Sequence, residues 1–142
     1  MIFLDIDGVL APIRHWDRYG DLDRACVGVL NDIVARVDAD IVVSSTWRYG
    51  KTVAELHAML EAQGFAGRVV GVTPTGAPGS GRGDEIAAWL SEHEVSGYAI
   101  IDDHGDVGEL QTHLVLTQPA HGLTAADAPR VVAALMRPIP DG

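Results

Sequence analysis

Short β-branched runs alternate along the chain with stretches whose apolar residues recur at helical spacing. Residues 1–5 read as a strand that carries apolar positions straight into Asp5-Ile6-Asp7-Gly8. Further strands are predicted at Asp40–Ser44, Arg68–Val72, Tyr98–Asp102 and Leu114–Leu116. Between them, Leu22–Val37 places Val27, Leu30, Ile33, Val34 and Val37 on one helical face. Thr52–Gln63 does the same with Val53, Leu56 and Leu60, and Gly64 follows as a helix-ending residue. Asp84–Glu92 and Ala125–Met136 read as two more helices. Residues 11–22 and Thr73–Gly83 predict loops, the second because it holds two Pro and four Gly. Strands and helices in strict alternation predict an α/β architecture, with about five parallel strands flanked by helices on both faces.

Composition narrows this picture. A length of 142 residues predicts a single domain over 1–142, and 47% hydrophobic residues give it a core and argue against disorder. The longest apolar runs, such as Ile41–Val43 and Ala99–Ile101, are far too short to cross a bilayer. The opening Met-Ile-Phe-Leu-Asp lacks the basic start of a secretory signal. The single cysteine, Cys26, excludes an internal disulfide framework; it reads as a packed core residue in a reducing, cytoplasmic compartment. A net charge of −10 argues against broad, non-specific binding to nucleic acid or to an anionic membrane. It leaves room for a local basic groove, and it suits a protein that gathers carboxylates around a cation.

Four segments place chemistry just past the carboxyl ends of strands, where open α/β sheets bind ligands. In Asp5-Ile6-Asp7-Gly8 two carboxylates stand two positions apart after an apolar strand, and Gly8 permits a sharp turn. One carboxylate can attack phosphorus while the other donates a proton and later activates water. In Ser44-Ser45-Thr46-Trp47-Arg48 a strand empties into hydroxyls, an indole and a guanidinium, suited to phosphate oxygens and equally to capping the next turn. In Gly81-Arg82-Gly83-Asp84 a cation opens a helix, where the helix dipole disfavours it, which suggests that Arg82 serves a phosphate and the Asp5 carboxylate; taken alone, the segment reads more readily as a surface arginine in a glycine-rich loop. In Ile101-Asp102-Asp103-His104-Gly105-Asp106 paired acids close a strand, an oxygen-rich set of the kind Mg²⁺ prefers, or else a solvated acidic turn.

Together and in this order, over about residues 1–106, the four segments resemble the motifs of the haloacid dehalogenase (HAD) superfamily. The resemblance implies a Rossmann-like domain and a Mg²⁺-dependent phosphatase working through an aspartyl-phosphate. It implies Asp5 as nucleophile and Asp7 as general acid/base, with the Asp7 backbone carbonyl also on the metal. An Asp at the second position of the first motif points to phosphoryl transfer, since the dehalogenase members lack it. Ser44 takes the hydroxyl position of the second motif, and Arg82 stands where the family usually has Lys, with Lys51 the fallback. Asp102 is the expected metal ligand beside Asp5, with Asp103 close by and Asp106 undecided. Gly8, Ser45, Arg48 and Thr124 are the expected substrate-side residues, although Thr124 also suits the cap of the last helix. More narrowly, Ser44–Arg48, Arg82–Ile86 and Ile100–Asp103 are similar to small HAD domains associated with RNA repair enzymes.

Neither gap that accommodates a cap domain in this superfamily has room for one, so a capless domain is expected. An open site suits a phosphorylated macromolecule, such as a polynucleotide end, or a partner subunit that closes over a small metabolite. Arg14, Trp16, Arg18 and Tyr19 form a candidate surface for bases and phosphates, and equally a loop packed over the core. A non-catalytic module that binds metal or phosphate is the reading from a different class; the retained Asp5, Asp7, Ser44 and Asp102 argue against it.

Overall fold

Three residues of β1 (Ile2–Leu4) run parallel to β2 (Ile41–Val43) on one side and to β4 (Ala99–Asp102) on the other. Outside them lie β3 (Val69–Val72) and β5 (Leu114–Leu116), which gives a five-stranded, all-parallel sheet in the order β3-β2-β1-β4-β5. The computed structural model describes residues 1–12, 22–76 and 78–139. The loop Arg14–Tyr19 lies outside them.

Alternation along the strands divides the core between the two sheet faces. Ile2, Leu4, Ile41, Val43, Ala99, Ile101 and Val115 face one way. There they meet α1 (Arg24–Val37), α2 (Val53–Ala62) and α4 (Ala128–Leu135) through Val27, Leu30, Ile33, Leu56, Leu60 and Val131. Phe3, Val42 and Ile100 face the other way, against Ile86 and Trp89 of α3 (Arg82–Ser91) and against Tyr98 and Val107. The Phe3 ring meets Trp89 and Tyr98 edge-on at 5.3 and 5.9 Å between centroids. Cys26 is buried among the apolar residues of the first face. No helix of the described residues is long and apolar enough to cross a membrane.

The predicted elements are all present, and their ends shift for identifiable reasons. Helix α1 starts at Arg24, not Leu22, because the Asp23 side chain accepts the N–H groups of Ala25 and Cys26 at 2.8 and 3.2 Å. Helix α3 starts at Arg82, two residues before the expected Asp84. Asp84 belongs to its first turn and caps backwards, its carboxylate taking the Gly81 N–H at 3.0 Å. Helix α4 starts at Ala128, after a 3₁₀ turn at Ala125–Asp127, because Pro129 tolerates only the first turn of a helix. Between β3 and α3 the described residues of 73–81 contain no inserted helix or strand.

The strand order reverses between β1 and β4: the chain moves outward through β2 and β3, then returns to β4 on the other side of β1. The carboxyl ends of these two strands therefore flank the crevice where such sheets bind ligands.

Candidate active site

Register and alternation bring the first, second and fourth sequence segments side by side. Leu4 pairs with Val43 and with Ile101, so the next residues, Asp5, Ser44 and Asp102, lie abreast on three adjacent strands. Each follows a residue of the first sheet face, so each turns toward α3, as Phe3, Val42 and Ile100 do. All three are buried. Asp103 completes the set: one carboxylate oxygen from each of Asp5, Asp102 and Asp103 lies within 4.8 Å of the others. Asp106 is exposed and stands outside this group.

Arg82 enters from the start of α3. Its Nη1 pairs with Asp102 Oδ2 and, at 3.3 Å, with Asp5 Oδ1. The close seating of this helix end depends on Gly83, where a Cβ would come 2.6 Å from the Val107 carbonyl oxygen. Arg82, rather than Lys51, thus meets the acids; Lys51 donates to the Trp47 carbonyl at the surface, 3.1 Å away.

One guanidinium does not balance three carboxylates. Burial, and then the charge of Asp102, push the Asp5 carboxyl up to about 7, although Arg82 pulls the other way. Burial also raises Asp103. Oδ1 of Asp103 is buried without a hydrogen-bond partner among the described residues. Converging carboxylate oxygens, one of them buried without a hydrogen bond and one raised by burial and by its neighbour's charge, fit a hard divalent cation. Ser44 Oγ is likewise buried and without a partner.

Gly8 shapes the turn beside this cluster. Its φ is +79°, and a Cβ there would overlap the Asp103 carboxylate. Gly8→Ala is expected to cost about 1–2 kcal/mol from the left-handed backbone alone. It should also displace Asp103. Thermal unfolding and Mg²⁺-dependent stabilisation, measured together, check this: both should fall.

The remaining sequence candidates take other places. Arg48 is buried and tied down. It donates to the carbonyls of Ser44 and Ser45 at 3.0 Å each and of Thr73 at 2.9 Å, and it pairs with Glu85 at 2.8 Å. With its guanidinium so engaged, Arg48 braces the loops behind the site and does not face a substrate, which corrects the expected role. Ser45 caps the short turn Thr46–Arg48, its Oγ accepting the Trp47 N–H at 3.2 Å. Thr124 pairs with Asp127 through both its N–H and its hydroxyl, at 2.9 and 3.1 Å, as the cap of the turn before α4. The Asp7 carboxylate stands apart from the three-acid group and accepts the Trp47 indole N–H at 3.1 Å.

Two supporting residues escaped the sequence reading. Thr117 is buried just past β5; its hydroxyl donates to the Gly8 carbonyl at 2.8 Å and its N–H to the Asp102 carbonyl at 2.9 Å. A hydroxyl directly after an apolar strand was the signal that singled out Ser44, and it applied here too. Glu85, one turn along α3 from Arg82, takes Arg48 and the Gly76 N–H at 2.9 Å, so it fastens this helix to the turn after β2. Nothing in the local sequence distinguishes Glu85 from a solvated helix acid.

A family model described as the HAD domain in Swiss Army Knife RNA repair proteins matches residues 1–128. The chain belongs to this family. Comparison with curated proteins and with solved structures gives no match. The acids lie where the sheet reverses direction, and membership in the family supports a HAD-type, hydrolase-like role for the chain. The single parallel sheet flanked by helices agrees with a small Rossmann-like HAD domain.

Proposed function

We propose that this HAD domain is a Mg²⁺-dependent phosphomonoesterase that forms an aspartyl-phosphate on Asp5 and acts on the terminal phosphate of a polynucleotide. The observation that carries the reading is the placement of Asp5 beside Asp102, with the Arg82 guanidinium against both and Ser44 on the neighbouring strand. Asp5, Asp102 and Asp103 would hold the Mg²⁺, together with the Asp7 carbonyl that the family resemblance implies. Bound there, Mg²⁺ supplies positive charge that keeps Asp5 ionised and offsets the charge of the phosphate.

Asp5 attacks phosphorus in line with the leaving oxygen. Arg82 and Ser44 hold equatorial oxygens, where charge spreads in a loose transition state. Asp7 gives its proton to the leaving oxygen, then takes one from the water that attacks the aspartyl-phosphate. Phosphate leaves and Asp5 returns to a carboxylate. The buried, unpartnered Ser44 hydroxyl supports its role as a phosphate ligand, since such a group otherwise costs about 1–3 kcal/mol.

The family's description as part of RNA repair proteins favours a nucleic-acid end as substrate. A net charge of −10 speaks against extended contact with a polyanion and so favours recognition of the end alone. Phosphate release should be measured from p-nitrophenyl phosphate and from RNA oligonucleotides carrying a 3′- or 5′-phosphate, with Mg²⁺ or EDTA. The expected result is release only with Mg²⁺ and a higher kcat/KM for one of the oligonucleotide ends. Equal or better use of small phosphates would point to a metabolite phosphatase. A folded protein that binds Mg²⁺ and turns over nothing would be a binding module.

A further inference from the structure

We propose that Trp47 is a positioning residue for the proton-carrying carboxyl of Asp7: its indole N–H holds one oxygen and leaves the other to meet the leaving group. The inference rests on the phosphatase reading above and concerns how its acid is aimed.

The bond from Trp47 Nε1 to Asp7 Oδ2 is 3.1 Å. An indole N–H donates and cannot accept. Oδ2 therefore remains an acceptor whether Asp7 is ionised or neutral, and the proton of the neutral acid belongs on Oδ1. An unheld carboxyl would place its proton on either oxygen and rotate about its last bond, so only some of its orientations would be productive. Holding one oxygen removes that freedom, which is what a general acid needs in order to meet a particular leaving atom.

The indole is itself held. Its backbone N–H goes to the Ser45 hydroxyl at 3.2 Å, its ring packs half-buried against the larger core, and the next residue is the buried Arg48. Arg48 binds Ser44, Ser45, Thr73 and Glu85, so Trp47 projects from a braced turn. Asp7 lies in a tight turn beyond the end of β1, where the Gly8 N–H reaches the Ala11 carbonyl at 2.9 Å. Trp47 thus gives a side chain at the end of a strand a fixed contact from a second, rigid segment.

In the step concerned, the bond from Asp5 to phosphorus forms and the bond from phosphorus to the leaving oxygen breaks. The proton on Asp7 Oδ1 moves to that oxygen and leaves Asp7 as an anion. In the second half the same oxygen takes a proton from the attacking water, so the enzyme ends as it began.

The test compares leaving groups in Trp47→Phe, which keeps a ring in the core and removes the N–H. An alkoxide leaving from a 3′-phosphorylated oligonucleotide needs the proton, whereas p-nitrophenolate leaves without one. The ratio of kcat/KM values, oligonucleotide over p-nitrophenyl phosphate, should fall about 10-fold or more in Trp47→Phe, part of the 10²–10⁴ that such acids supply. Asp7→Asn should shift the ratio the same way and further. Because both substrates are measured on one preparation, the ratio does not depend on how much of the variant folds. An unchanged ratio in an active variant, whether both rates fall or neither does, would overturn the inference and leave the phosphatase reading standing. Inactivity of the wild type on both substrates would overturn that reading, and this inference with it.

Discussion

Asp5→Asn is expected to lower phosphate release by about 10³-fold or more, the scale on which removing a nucleophile acts, and at the same time to make the metal-free protein more stable. The two effects have one origin. Asp5 is buried beside Asp102, and its carboxyl is pushed up to about 7. A carboxyl raised in this way binds its proton more tightly in the folded chain than in the unfolded one. As pH rises from the ordinary carboxylate range to about 7, the unfolded state loses its proton first, so stability falls across that window and levels off above it. Asparagine does not titrate, and the variant should lose that part of the slope. Thermal unfolding in EDTA at about pH 5 and about pH 8 checks the sign: the difference between wild type and Asp5→Asn should be larger at the higher pH. Mg²⁺ should stabilise the wild type more than the variant and should release protons as it binds. A variant less stable than wild type at pH 8 without metal would mean that Asp5 is not under this electrostatic load.

Arg82→Ala carries the second large effect. It removes the cation that touches both Asp5 and Asp102 and the group assigned to the equatorial phosphate oxygens. The expected loss in kcat is about 10²–10³-fold, as for other donors aimed at a charged transition state. Without Arg82 the Asp5 carboxyl should move further up, since Arg82 is the charge that pulls it down. Arg82→Lys keeps the charge but not the planar guanidinium whose Nη1 meets both carboxylates, and it should recover part of the rate. Added guanidinium ion should restore part of the activity of the alanine variant. Steady-state rates of the three proteins at saturating Mg²⁺ decide this. An alanine variant as fast as wild type would remove Arg82 from the site.

Much of this site was legible in the sequence because it is built from strand ends. An apolar run of known direction that stops at a carboxylate or a hydroxyl puts that group at one edge of the sheet; Asp5, Ser44 and Asp102 were found in this way. Their being abreast needs the register, Leu4 with Val43 and Ile101, which no single segment contains. Arg82 was marked by its conflict with the helix dipole, and the structure places it against the acids. Arg48 misled because a guanidinium after a hydroxyl run looks the same whether it faces a phosphate or, as here, carbonyls of its own turn and of Thr73. Its partner Glu85 is 37 residues away and could not be paired with it from spacing. Trp47 stood out only as an indole in a run suited to phosphate or to capping; its bond to Asp7 spans 40 residues and depends on how the turn after β2 folds back over the turn after β1.

The central claim is that Asp5 accepts the phosphoryl group. Mass spectrometry of enzyme quenched in acid during Mg²⁺-dependent turnover tests it most directly. With p-nitrophenyl phosphate, whose leaving group needs no proton, the account predicts a phosphoryl adduct on the peptide that contains Asp5, present in wild type, more abundant in Asp7→Asn, and absent in Asp5→Asn. Turnover with no adduct on that peptide, or an Asp5→Asn protein that still releases phosphate at the wild-type rate, would contradict it.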